Sequence, residues 1–75
     1  DWVIVGGESG PGARDFSIEA GAEVVKQCAG AGVPVFVKQL GARPTLGGRR
    51  WNTDDRKGGD PAQWPEEMRV REMPK

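Results

Sequence analysis

The sequence predicts a small α/β unit: one right-handed βαβ element followed by an irregular tail rich in Gly, Arg and Pro. Three observations predict it. Two short β-branched runs, WVIV at residues 2–5 and VFV at residues 35–37, flank a stretch with helical spacing. Glycine-rich segments bound each run. Aliphatic residues become scarce after Leu40. The chain therefore divides into residues 1–40, the βαβ unit, and residues 41–75, the tail.

The first strand, WVIV, closes on Gly6-Gly7. It has no polar alternation, which is the pattern of a strand covered on both faces. Residues 6–15, GGESGPGARD, form a turn-rich loop. Asp15 and Ser17 are both candidate N-caps for the helix that follows. In that helix Ile18, Ala22, Val25 and Ala29 recur on one stripe, with Gly21 and Cys28 on its flanks. Glu19 sits where the macrodipole favours an acid. Gly21 lowers helix propensity by about 1 kcal/mol but permits a close approach to the sheet. Gly30 and Gly32 offer the C-cap. Pro34 is tolerated at the start of the second strand. The interval between the strands has the length of one crossover, hence parallel pairing and right-handed connection.

Residues 41–62 read as a long loop with a short hairpin around Gly47-Gly48. Pro65-Glu66-Glu67 suits a helical turn. Residues 68–73 alternate loosely and suit a brief strand instead. One helix covers only one face of a two-stranded sheet, and both outer edges would present unpaired backbone groups. Trp51, Trp64, Met68 and Val70 are the side chains available to fold back. The expectation is a fragment from the C-terminal side of a larger α/β protein, or a small domain completed by self-association.

Composition narrows the function classes. The chain has 75 residues, eleven Lys plus Arg and eleven Asp plus Glu. Net charge is zero, unlike a generic nucleic-acid binder with a positive footprint. A single cysteine and no histidine exclude an internal disulfide, a Cys/His metal set and a Ser-His-acid triad within these residues. No apolar run is long enough to cross a membrane as a helix. A cytoplasmic location is expected.

The strongest local signal is VGGESGPGAR, residues 5–14. A glycine-rich turn after a strand exposes backbone N–H groups that can cradle an anion or an anionic small molecule. Ser9 adds a hydroxyl and Arg14 a charge-assisted donor. Neither the Walker A nor the GxGxxG pattern is met, and a plain turn is the competing reading. Glu8 is the single acid of the loop, either a ligand-contacting or basic group or an ordinary exposed glutamate. Lys38 and Gln39 end the second strand at the edge where the loop emerges, so Lys38 either contacts an acidic ligand, pairs with Glu8, or snorkels. Cys28 reads as a small buried hydrophobe. Residues 43–57 hold five cations against Asp54 and Asp55. With Trp51 and Asn52 among them, they compose a nucleic-acid loop or a solvated one. Asp54, Asp55 and Asp60 match no calcium spacing.

Three segments in order, VIVGGESGPGAR, QCAGAGVPVFVKQLG and DRKGGDPAQWPEEMRVREMP, resemble the C-terminal part of an uncharacterised phage-associated protein family found in phages and bacteria. The resemblance covers nearly the whole chain. Its members are similar to radical-SAM proteins, with a partial (β/α) barrel and an upstream cysteine motif for an iron–sulfur cluster. The resemblance implies that Gly6, Gly7, Glu8, Ser9 and Gly10 line a barrel mouth near a cofactor, with Lys38 and Gln39 emerging at the same mouth. It implies SAM and an iron–sulfur cluster in a longer parent, whose other segments would be partners of this one. Family members often carry a proline after the Ala-Arg pair, where this chain has Asp15, and a more aromatic second strand. The functional expectation is a fragment of an iron–sulfur, SAM-dependent enzyme, inactive alone. The alternatives are a phosphate- or nucleic-acid-binding module and a self-associating structural domain.

Overall fold

The computed structural model describes residues 2–74. It is a small mixed α/β domain with one α-helix and two sheets. Strand β1 (Val3–Gly6) pairs in parallel with β3 (Val35–Gln39), and helix α1 (Ile18–Ala31) lies between them in sequence. A second sheet has the order β2 (Phe16–Ser17), β4 (Pro44–Leu46), β5 (Arg49–Arg50), the first pair parallel and the second antiparallel. Neither sheet is closed or strongly curled.

The helix begins where Ser17 caps it: Ser17 Oγ accepts from Ala20 N at 3.2 Å. Asp15, the other candidate, is engaged elsewhere. The helix ends at Gly32, whose φ of 71° is the left-handed C-cap conformation. Gly21 makes a close approach, but to Phe16 of β2 and Met68 of the tail and not to the β1–β3 sheet. A Cβ there would lie 2.8 Å from the Phe16 ring and 3.0 Å from the Met68 methyl. The hairpin at Gly47-Gly48 is present, with φ of 61° and 77°, as a two-residue turn of the I′ kind requires.

The core joins Val5, Val35 and Val37 of the parallel pair to Ile18, Val25 and Cys28 of α1, closed by Leu40, Trp64 and Met68. These strand residues are the odd-numbered ones, so they share one face of the pleat. The opposite face carries Ile4, Gly6, Phe36 and Lys38. Ile4 is 54% exposed and Trp2, which meets Phe36 edge-on at 6.1 Å, is 38% exposed. The apolar runs are thus covered on one face only among the described residues, where their composition predicts two.

The tail corrects one other expectation. Residues 41–62 are largely irregular around the β4–β5 hairpin, with a 3-10 turn at Pro61–Gln63. The far edge of β3, however, is not open. Val37 N donates to Val70 O at 2.8 Å, Glu72 N to Val35 O at 2.9 Å, and Arg71 bridges Phe36 in antiparallel sense. Arg71 fixes this strap. Its guanidinium lies 4.9 Å from the centre of the Phe36 ring and donates to Val37 O and Lys38 O at 3.1 and 2.8 Å. The two readings of the C-terminal segment both hold in sequence: Glu66–Met68 is a 3-10 turn and residues 70–72 run strand-like. No strand among the described residues pairs with the outer edge of β1. No helix among them is long and apolar enough to cross a membrane.

Candidate functional site

The loops following β1 and β3 meet at the carboxyl ends of the parallel strands, the end of an α/β sheet where ligands bind. Their contact is backbone on backbone. A Cβ on Gly7 would lie 2.2 Å from Leu40 O, and one on Gly41, whose φ is 87°, would lie 2.6 Å from Glu8 O. Gly7 N donates to Gln39 O at 3.1 Å, Gln39 Nε2 to Gly7 O at 3.0 Å, and Ala42 N to Glu8 O at 2.8 Å. The second glycine of the pair is therefore required by packing between these loops.

Glu8 closes the glycine loop on itself. Its Oε1 accepts from Arg14 N at 2.9 Å and Arg14 Nε at 3.0 Å, and its Oε2 accepts from Arg14 Nη2 at 3.0 Å. The side-chain hydrogen bonds from Arg14, then the backbone one, hold the Glu8 carboxyl down at about 2. So weak a base is unsuited to proton abstraction near neutral pH. The Glu8–Lys38 pair, one of the three readings of Lys38, does not form among the described residues. Arg14 sits six positions along the same loop and takes the carboxylate, while Lys38 is exposed on the open face of the sheet. Lys38 is instead a neighbour of Gly6: a Cβ on Gly6 would lie 3.6 Å from Lys38 Cβ.

Ser9 and Gly10 form the exposed tip of the loop, turned by Ala13 N donating to Gly10 O at 3.2 Å. Two open depressions flank it. One of about 260 Å³ is lined by Gly6, Gly7, Glu8, Arg14, Asp15 and Phe16. The other, about 320 Å³, lies over Glu8, Ser9 and Pro11–Ala13. The loop does not run straight into the helix. β2 intervenes, and the first-turn amide of Ala20 is occupied by Ser17, so the loop and the helix N-terminus do not form one anion cradle.

Asp15 is the residue whose role the sequence hid. Its Oδ1 accepts from Arg43 Nε at 2.8 Å and from both Nη atoms of Arg50 at 3.4 Å. The hydrogen bond from the Arg43 guanidinium holds the Asp15 carboxyl below its ordinary range. The parallel pairing of β2 with β4 creates this cluster, and no local signal reveals a pairing across so many residues.

Trp51 and the aspartates of this region are structural. Trp51 is half-buried, donates Nε1 to Gln63 O at 2.8 Å, and is no free stacking platform. Asp60 caps the turn at Ala62 N, Asp55 accepts from Gly59 N, and Asp54 accepts from Gln63 Nε2. No group of three or more His, Cys, Asp or Glu among the described residues can hold a metal ion. Cys28 is 8% exposed and packs in the core.

No curated protein and no solved structure matches the chain. The family model described as a protein of unknown function (DUF5131) matches residues 1–70, and the chain belongs to that family.

Proposed function

We propose that this chain contributes one βαβ unit to a larger partial (β/α) barrel in an iron–sulfur, SAM-dependent enzyme, with Gly6, Gly7, Glu8, Ser9, Gly10 and Lys38 at the cofactor-facing mouth. One observation carries the reading: the sheet has a helix-covered face and an open face, and the open face runs from apolar to polar along the strands. Trp2, Ile4 and Phe36 lie toward its start, and Gly6 and Lys38 at its carboxyl end. In a barrel of this kind helices lie outside, apolar side chains fill the interior, and ligands bind at the carboxyl ends of the strands. Ile4 and Phe36 would then be interior packing, and Lys38 a cation at the rim.

The iron–sulfur cluster does not fit the residues of this segment. Clusters are held by several thiolates, and Cys28 is alone and buried. Its ligands would lie in other segments of the protein. A carboxylate-bearing cofactor fits better, since Lys38 is exposed beside a glycine that leaves room for it. SAM, when bound with a reduced cluster, supplies radical chemistry. The residues here would orient it: Lys38 by charge, and the loop by a shape fixed through the Glu8–Arg14 clasp.

The coding sequence upstream of Asp1 tests the reading. A cysteine cluster in frame, and SAM binding by the protein so encoded after anaerobic reconstitution, are the expected results. Lys38→Ala in that protein should weaken SAM binding about tenfold, as loss of a charge-assisted contact does, with an unchanged melting temperature. Absence of both cysteines and SAM binding would overturn the enzyme reading. Undiminished binding in Lys38→Ala would remove Lys38 from it.

A further inference from the structure

Beyond the barrel mouth, a second feature points to a ligand. We propose that Arg43 and Arg50, held by Asp15, form a clamp for a phosphate group of a nucleotide or a nucleic-acid strand. The geometry follows from strand register. Arg43 and Thr45 lie two apart and share a face of β4's path, and Arg50 stands opposite Thr45 on β5, so both arginines rise on one side of the small sheet. Phe16 pairs with Pro44, which sets Asp15 beside Arg43.

The cluster holds two guanidinium groups against a single carboxylate, and only Oδ1 of that carboxylate is used among the described residues. A guanidinium carries five N–H donors in a fixed fork. Arg43 commits Nε alone to a protein acceptor among the described residues, so its terminal nitrogens make no such hydrogen bond there. Side-chain exposures of 52% for Arg43 and 39% for Arg50 leave both accessible. The surplus charge is not cancelled nearby by Glu8, which Arg14 neutralises. Paired forks with free donors suit the several oxygens of a phosphate better than a monodentate partner. The whole chain is neutral, so this local excess is placed by the fold and not by composition.

Calorimetric titration of the chain with inorganic pyrophosphate, a nucleoside triphosphate and a short single-stranded oligonucleotide, each at low and at physiological salt, tests the clamp. Saturable binding is expected, weakened about tenfold or more when Arg43→Ala and Arg50→Ala are combined. The Arg43→Lys, Arg50→Lys pair should weaken it similarly, because an ammonium keeps the charge and loses the fork. That pair also carries the test if the alanine pair loses its near-UV circular dichroism. Comparable affinity for the triphosphate and the oligonucleotide supports the clamp with a free nucleotide as ligand. Binding of the oligonucleotide alone, falling steeply with salt, supports it with a nucleic-acid backbone as ligand. Absence of binding by every probe at low salt, or full affinity in the substituted proteins, would overturn it.

Discussion

Gly7→Ala is expected to destabilise the protein severely, while Gly6→Ala, one position earlier, is expected to be mildly stabilising. The new Cβ at position 7 would stand 2.2 Å from Leu40 O and 2.8 Å from Leu40 C. Both are backbone atoms, so no rotamer relieves the overlap, and the two loops must part by about 1 Å to restore ordinary contact. Three hydrogen bonds span the seam: Gly7 N to Gln39 O, Gln39 Nε2 to Gly7 O, and Ala42 N to Glu8 O. Each contributes roughly 0.5–1.5 kcal/mol, and two of them would be stretched or lost. Overpacking adds about 1–3 kcal/mol. The sum is about 2–6 kcal/mol, against a total of about 4–11 kcal/mol for a domain of this length.

At Gly6 the nearest atoms to a new Cβ lie at 3.6 Å, an ordinary contact. There Ala should gain about 0.5–1 kcal/mol by reducing backbone entropy in the strand. Urea unfolding followed by tryptophan fluorescence and far-UV circular dichroism measures both, at a common m-value. If Gly7→Ala lies within about 0.5 kcal/mol of Gly6→Ala, the packing account of the glycine pair is wrong.

Trp64→Ala should cost about 3–5 kcal/mol in the same assay, since it empties a core position and leaves the Gly58 carbonyl without its 2.7 Å donor. Trp2→Ala, at a site 38% exposed, should cost far less, and equal losses would refute the assignment of the tail to the core. Ser17→Ala should cost about 1 kcal/mol through loss of the helix cap. By NMR titration the Glu8 carboxyl should titrate at about 2, below its ordinary 4.5. A depressed folded-state value stabilises the native state fully above 4.5, and that contribution disappears as pH falls through about 2. Arg14→Ala should return the Glu8 midpoint toward 4.5; an unmoved midpoint would place its cause elsewhere.

The parallel pair, the helix and its cap, and the glycine hairpin are all legible in sequence because each has a local cause. Branched residues fill β1 and β3, Ser17 precedes the stripe, and two glycines supply the left-handed backbone of the hairpin. The strap at residues 70–72 has no such cause. Arg71 reads as one more surface arginine until Phe36 and the carbonyls of β3 are placed beneath it. The same holds for Asp15, whose sequence neighbourhood suggests a helix cap and whose partners lie 28 and 35 residues away. Glu8 is an intermediate case. A glycine loop with one acid and one arginine invites a ligand reading, yet the simplest acceptor for that arginine is the acid itself.

The asymmetry of the parallel sheet has a consequence for the isolated chain. The strap closes one edge, at β3, while the outer edge of β1 has no partner strand among the described residues. Exposed apolar side chains lie beside that strand: Ile4 at 54% and Val24 at 38%. An unpaired strand edge with apolar flanks is a template for another strand, and a single charge on it suppresses such pairing. Ile4→Lys removes no buried packing, so unfolding free energy should change by less than about 1 kcal/mol. Sedimentation velocity over a wide concentration range should show the wild-type chain associating and Ile4→Lys remaining monomeric. A wild-type chain that stays monomeric throughout would mean that β1 needs no further strand, and the case for a larger sheet around it would fall with that result.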